Sequence, residues 1–174
     1  MDEIEQIFKE IASKPVDDEI LDIDPNSRVV ELDSHWLKIE PNLNIWRFIH
    51  EMQASKLHHS DEYRPLLLIH GYKSSHTTWN WMVQHLWISG FRNIFGIELL
   101  DDKLGLKKNS EHIEGVINFI FDLLPDIKEI DLFGHSMGGL VARYFIKYSD
   151  KRDKVRFLVT LGSAHSGLSF AFDN

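Results

Sequence analysis

Residues 133–139 read FGHSMGG, directly after the apolar stretch Ile130, Asp131, Leu132 and directly before Leu140, Val141, Tyr144 and Phe145, which recur at helical spacing. A buried strand that passes into a helix with almost no intervening loop must turn sharply. The apex residue is driven towards positive φ, which costs any residue but glycine energy. Side chains two positions either side of the apex would collide there. Gly134 and Gly138 remove them, so Ser136 can stand at the apex with its hydroxyl exposed above the sheet. A tightly packed turn without chemistry is the plainer alternative; the strand-then-helix context favours the nucleophile. Two other glycine-rich loops are excluded: Leu140 stands where a phosphate loop needs lysine, and the G-x-G-x-x-G spacing of dinucleotide sites is absent.

The surrounding pattern predicts an α/β fold, a mostly parallel sheet with helices on both faces. From Pro65 onward, compact apolar runs alternate with amphipathic helices. PLLLIH is followed by a helix in TTWNWMVQHLWISG, with Trp79, Met82, Val83 and Leu86 on one face and Gly90 as its stop. NIFGIEL is followed by a polar loop from Asp101 to Asn109. A helix then starts at Ser110 with Ile113, Val116, Ile117, Ile120 and Leu124, and Pro125 halts it. VRFLVTL is the last strand. Upstream, RVVELDSHWLKI and LNIWRFIHEM read as two antiparallel strands, giving six in all. Residues 1–28 read as an N-terminal helix and connector, and 29–174 as a single domain.

Composition excludes several function classes. A net charge of −8 argues against nucleic-acid binding, which needs a concentrated basic surface. The absence of cysteine removes disulfides and thiol catalysis. Ten histidines form no H-E-x-x-H or comparable cluster, so neither metal nor cofactor is expected; His58 and His59 read as a wet loop. The acidic start MDEIEQIFKE is unlike a secretory signal, and no apolar run approaches the roughly 20 residues that span a bilayer, so the expectation is a cytoplasmic chain without a transmembrane segment.

A serine hydroxyl attacks poorly unless a base takes its proton and donors meet the oxyanion. The N–H of Met137, at the start of the new helix, is one candidate donor. The loop IHGYKSS after the third strand nominates the N–H of Tyr72, with Gly71 letting that loop approach the nucleophile. LLLIHGY, DLFGHSMGGLVARYFI and LVTLGSAHSG together resemble the α/β-hydrolase-fold serine hydrolases. More narrowly, they are similar to small bacterial triacylglycerol lipases and to the lipase-like domain of GPI inositol-deacylases, over about residues 65–167. The resemblance implies Ser136 as nucleophile and the Met137 and Tyr72 amides as the oxyanion hole. It implies supporting roles for His70 and His135, and a small-molecule or lipid ester as substrate.

The acid and base are harder to place. In that fold they follow the nucleophile along the chain, at the C-terminal ends of later strands. Asp150 and Asp153 precede VRFLVTL and so sit at the opposite edge of the sheet, about 20 Å away. His165 emerges on the correct side, but GSAHSG resembles the lipases' G-x-P-H-x-G turn, with Ala164 in place of proline, which implies a site-shaping loop rather than a base. The expectation is a fold truncated after the sixth strand, with the acid and base missing from this chain. Its alternative is a non-catalytic binding or interaction module. An exposed edge at VRFLVTL would permit self-association, and Trp81 and Tyr72 are candidates to line an acyl-binding mouth.

Overall fold

The computed structural model describes residues 32–33, 36–49, 63–100 and 105–167. The helix and connector assigned to residues 1–28 lie outside this set, as do His58, His59, Asp101, Asp102 and Asp173. Seven strands, β1 (Leu32–Asp33), β2 (Trp36–Glu40), β3 (Ile45–Phe48), β4 (Leu66–Ile69), β5 (Ile94–Ile97), β6 (Ile130–His135) and β7 (Val155–Leu161), form one sheet in the order β1-β2-β3-β5-β4-β6-β7. β4 pairs in parallel with β5 and β6, and β6 with β7, while β1, β2, β3 and β5 are joined by antiparallel ladders.

The central strands are uniformly buried because both faces are covered. Leu67, Ile69, Phe95, Ile97, Ile130 and Leu132 point to one side, where they meet Ile113, Val116, Ile117 and Ile120 of α2 (Gly105–Leu123) and Val141, Ala142 and Phe145 of α3 (Met137–Tyr148). Leu66, Leu68, Ile94, Trp46 and Phe48 point to the other, where Val83 of α1 (Asn80–Ile88) and Trp79 cover them. The alternation follows from the two-residue period of a strand. α1 stops as its pattern requires: Gly90, just beyond it, has φ 102.

Two elements differ from expectation. RVVELDSHWLKI is not one strand: the polar Asp33-Ser34-His35 breaks its alternation, and Leu32–Asp33 pair back antiparallel on Trp36–Leu37. The helix expected from Ser110 begins at Gly105, so the loop from Asp101 to Asn109 is mostly helical where it is described. Its first turn looked polar because Lys107 and Lys108 face solvent. Asn109 is nevertheless buried, donating to Gly105 O at 3.0 Å and accepting from Leu100 N–H at 3.1 Å. An asparagine that reads as a loop residue thus ties the start of α2 to the exit of β5.

β7 ends the sheet, with Phe157 and Val159 58% and 37% exposed. Asp131, buried in β6, receives both a 3.0 Å bond from Nε and a 2.6 Å bond from a terminal nitrogen of Arg156 on β7. No described helix is long and apolar enough to cross a membrane.

Candidate active site

Ser136 lies between the last residue of β6 and the first of α3, with φ 51 and ψ −120. Three close approaches hold it in that unfavourable conformation, and each needs a glycine. A Cβ on Gly134 would run into the backbone of Gly139 in α3. One on Gly138 would overlap the carbonyl oxygens of Ile69 and His70, and one on Gly139 would overlap Ser163 Oγ. The expected collision between flanking side chains is therefore one of side chain with main chain: α3 packs its first turn directly on the end of β4. The Ser136 N–H completes the anchorage by donating to Leu161 O at 2.8 Å, continuing the β6–β7 ladder.

The loop after β4 comes to the same place. A Cβ on Gly71 would stand 2.9 Å from Ser136 Cβ and 3.1 Å from His135 Nδ1, so the chain at residues 70–72 passes against the bend. Tyr72 follows, 55% exposed, and Met137 is the first residue of α3, where an N–H has no acceptor within the helix. His70 is buried and fully engaged. Leu99 N–H donates to its Nε2 at 3.0 Å, which assigns the proton to Nδ1, and Nδ1–H donates to Gly71 O at 2.7 Å. With both ring nitrogens committed, His70 supports the loop. His135 packs edge-on against Trp79, and its Nδ1 is buried without a hydrogen-bond partner among the described residues.

A carboxylate and histidine do meet at short range, though not at the serine. Glu98, one residue beyond β5, accepts from His76 Nδ1 at 2.5 Å and from His76 N–H at 3.0 Å. The His76 ring stacks on Trp46 at 4.1 Å and lies edge-on to Trp36. It sits over β3 and β5, two to three strand spacings from β6, or about 10 to 14 Å, too far to take a proton from Ser136. Burial raises the Glu98 pKa, but the side-chain and backbone hydrogen bonds from His76 outweigh it and hold this carboxyl below its ordinary range. His112 donates from Nε2 to Glu98 O at 3.2 Å, and burial pushes its pKa down.

The remaining candidates are apart from the bend. His165 is exposed and bonded through Nε2 to Thr160 Oγ1 at 2.9 Å. Asp150 and Asp153 are exposed at the other end of β7, Asp153 lying within the 3-10 turn that precedes it. Among the described residues, no histidine or carboxylate hydrogen-bonds Ser136 Oγ, and no group of three potential metal ligands occurs. Trp81 is 68% exposed, whereas Trp79 is buried in the core. Sequence reasoning passed over Glu98, His76 and His112, whose partners lie 14 to 22 residues apart along the chain; the signal present was a lone acid at a strand's C-terminal end.

Comparison with known proteins fits this arrangement. A Bacillus licheniformis lipase superposes with a TM-score of 0.56 at 23% identity, over 63% of this chain and 44% of its own. This chain has the α/β-hydrolase fold. A Bacillus coagulans carboxyl esterase shares it, with a TM-score of 0.51 at 16% identity over 67% of this chain and 38% of its own. In sequence, residues 102–174 match the PGAP1-like alpha/beta domain. A stretch of 64 residues is 41% identical to a GPI inositol-deacylase of Candida albicans, covering 36% of this chain and 16% of that protein. The chain thus spans less than half the length of each of these relatives. The match to the PGAP1-like domain begins after β5 and takes in the bend.

Proposed function

We propose that this chain carries the nucleophile of a carboxylic ester hydrolase of the lipase/esterase type. Ser136 Oγ attacks the ester carbonyl, and the N–H groups of Met137 and Tyr72 stabilise the resulting oxyanion. The C–O bond to the leaving alcohol then breaks, the alcohol takes up the serine's proton, and an acyl-Ser136 remains. Water attacks that ester and releases the acid. Among the described residues no histidine or carboxylate is bonded to Ser136 Oγ to serve as base, and the chain spans less than half the length of each relative compared. The relative named GPI inositol-deacylase makes an acyl ester of an inositol lipid the substrate class to test first.

One observation supports this reading above the others. A non-glycine residue is held at φ 51, ψ −120 with the Gly71 loop packed against it. Strain of that kind persists only where the surroundings impose it, and it gathers at functional sites. A second reading, a binding module that has kept the bend without its chemistry, draws on the absence of a partner for Ser136 Oγ among the described residues. A fluorophosphonate probe separates the two. Slow labelling of the 174-residue chain that Ser136→Ala abolishes is expected, because an oxyanion site without its base retains residual reactivity. No labelling above that of Ser136→Ala would leave the binding module standing.

A further inference from the structure

The loop that carries Tyr72 is fastened at both ends to two consecutive residues. At its start, the His70 ring accepts from Leu99 N–H at 3.0 Å. At its far end, His76 gives both its backbone N–H and its Nδ1 proton to one carboxylate oxygen of Glu98, at 3.0 and 2.5 Å. The other oxygen lies 3.7 Å from His70 Nε2, too far for a bond but close enough to be felt. Glu98 and Leu99 are themselves held. Glu98 N–H donates to Asn44 O at 2.9 Å, and Glu98 O accepts from His112 of α2 at 3.2 Å. Between the two fastenings, Gly71 presses on Ser136 and Tyr72 follows.

We propose that Glu98 is a positioning residue for the oxyanion site, setting through His76 where the Tyr72 N–H stands relative to Ser136. The site itself is taken from the reading above. The placement has a physical consequence. The loop's span from His70 to His76 contains the polar, exposed Lys73 and the half-buried Ser74 and Ser75, which supply little apolar burial of their own. Directional bonds therefore set its course, and the Glu98 carboxylate takes two of them. The titratable groups facing Glu98 are His76 and His70 from the loop and His112 from α2. Mutual orientation matters at this site because displacement of a catalytic donor by about 1 Å can cost about 100-fold in rate.

The test uses the 174-residue chain with Glu98→Leu, which keeps much of the size but removes both acceptor oxygens, and with His76→Phe, which keeps the stacking on Trp46 while removing the ring donor. Amide hydrogen exchange at residues 71–76 should quicken by about tenfold or more in both variants, with exchange in α2 and β6 unchanged. Fluorophosphonate labelling of Ser136 should slow about tenfold in its maximal rate, with the probe concentration for half-saturation unchanged, because the donor acts in the transition state. Unchanged exchange at 71–76 overturns the proposal, as does a rise shared equally by the whole chain, which is simple loss of stability. Should the parent chain fail to label, the ester-hydrolase reading falls while the exchange result still decides whether Glu98 holds the loop.

Discussion

Ser136 stands where a glycine would stand more comfortably. Its φ of 51 costs about 1–3 kcal/mol, while glycine's extra freedom in the unfolded chain offsets up to about 1 kcal/mol of any relief. Ser136→Gly should therefore raise stability by about 1 kcal/mol in urea denaturation while removing the hydroxyl proposed as nucleophile; a lower midpoint would show that the bend is unstrained. Gly138→Ala should do the opposite. Its methyl group meets the carbonyl oxygens of Ile69 and His70, which cannot turn aside as a side chain can, so a loss of at least about 2 kcal/mol is expected. The bend was legible at this scale because its cause is local: glycines at fixed distances from a serine are visible in seven letters. Glu98 and His76 were not, because each is ordinary in its own surroundings and acquires meaning only when β4 and β5 are brought side by side.

Among the elements, the parallel strands were the clearest, since burial on both faces leaves an unbroken apolar run such as Leu66–Ile69. The start of α2 was misplaced because Lys107, Lys108 and Asn109 carry the composition of a loop, and a buried side-chain bridge from Asn109 to Leu100 decided the matter instead. The division of the first strand was missed because the polar Asp33-Ser34-His35, which breaks its alternation, was passed over within an otherwise strand-like run. β6 and β7 offer a test of what holds neighbouring strands besides their ladder. Arg156 is raised in pKa chiefly by its side-chain bond to Asp131, and it is partly exposed, so its own contribution is discounted for screening. Arg156→Met strands a buried carboxylate. It should lower the urea midpoint by the equivalent of about 1–2 kcal/mol, and Asp131→Asn in the same chain should recover part of it. Equal stability of the parent and Arg156→Met would mean that Asp131 finds water once the arginine is gone.

For the molecule as a whole, the cluster at the end of β5 makes stability depend on pH in a definite direction. Burial holds His112 below the ordinary value of 6.5, its bond to Glu98 O only partly opposing this. On acidification the unfolded chain takes up that proton first, so stability falls as pH drops through about 6.5. Glu98, also held below its ordinary 4.5, again lets the unfolded chain protonate first and adds a second descent at lower pH. Thermal melts should show a midpoint that falls between about pH 7 and pH 5, and His112→Gln should flatten this first descent while leaving the second. A midpoint that climbs over the same interval would contradict the assignment of His112.

The contact between Gly138 and the end of β4 is made of main-chain atoms on both sides. Nothing there can be retuned by exchanging one side chain for another, so the serine's aim is inherited with the backbone. On the proposed reading, diversification is left to exposed side chains beside the bend such as Tyr72, and an engineer seeking a new substrate should randomise there and leave the corner alone.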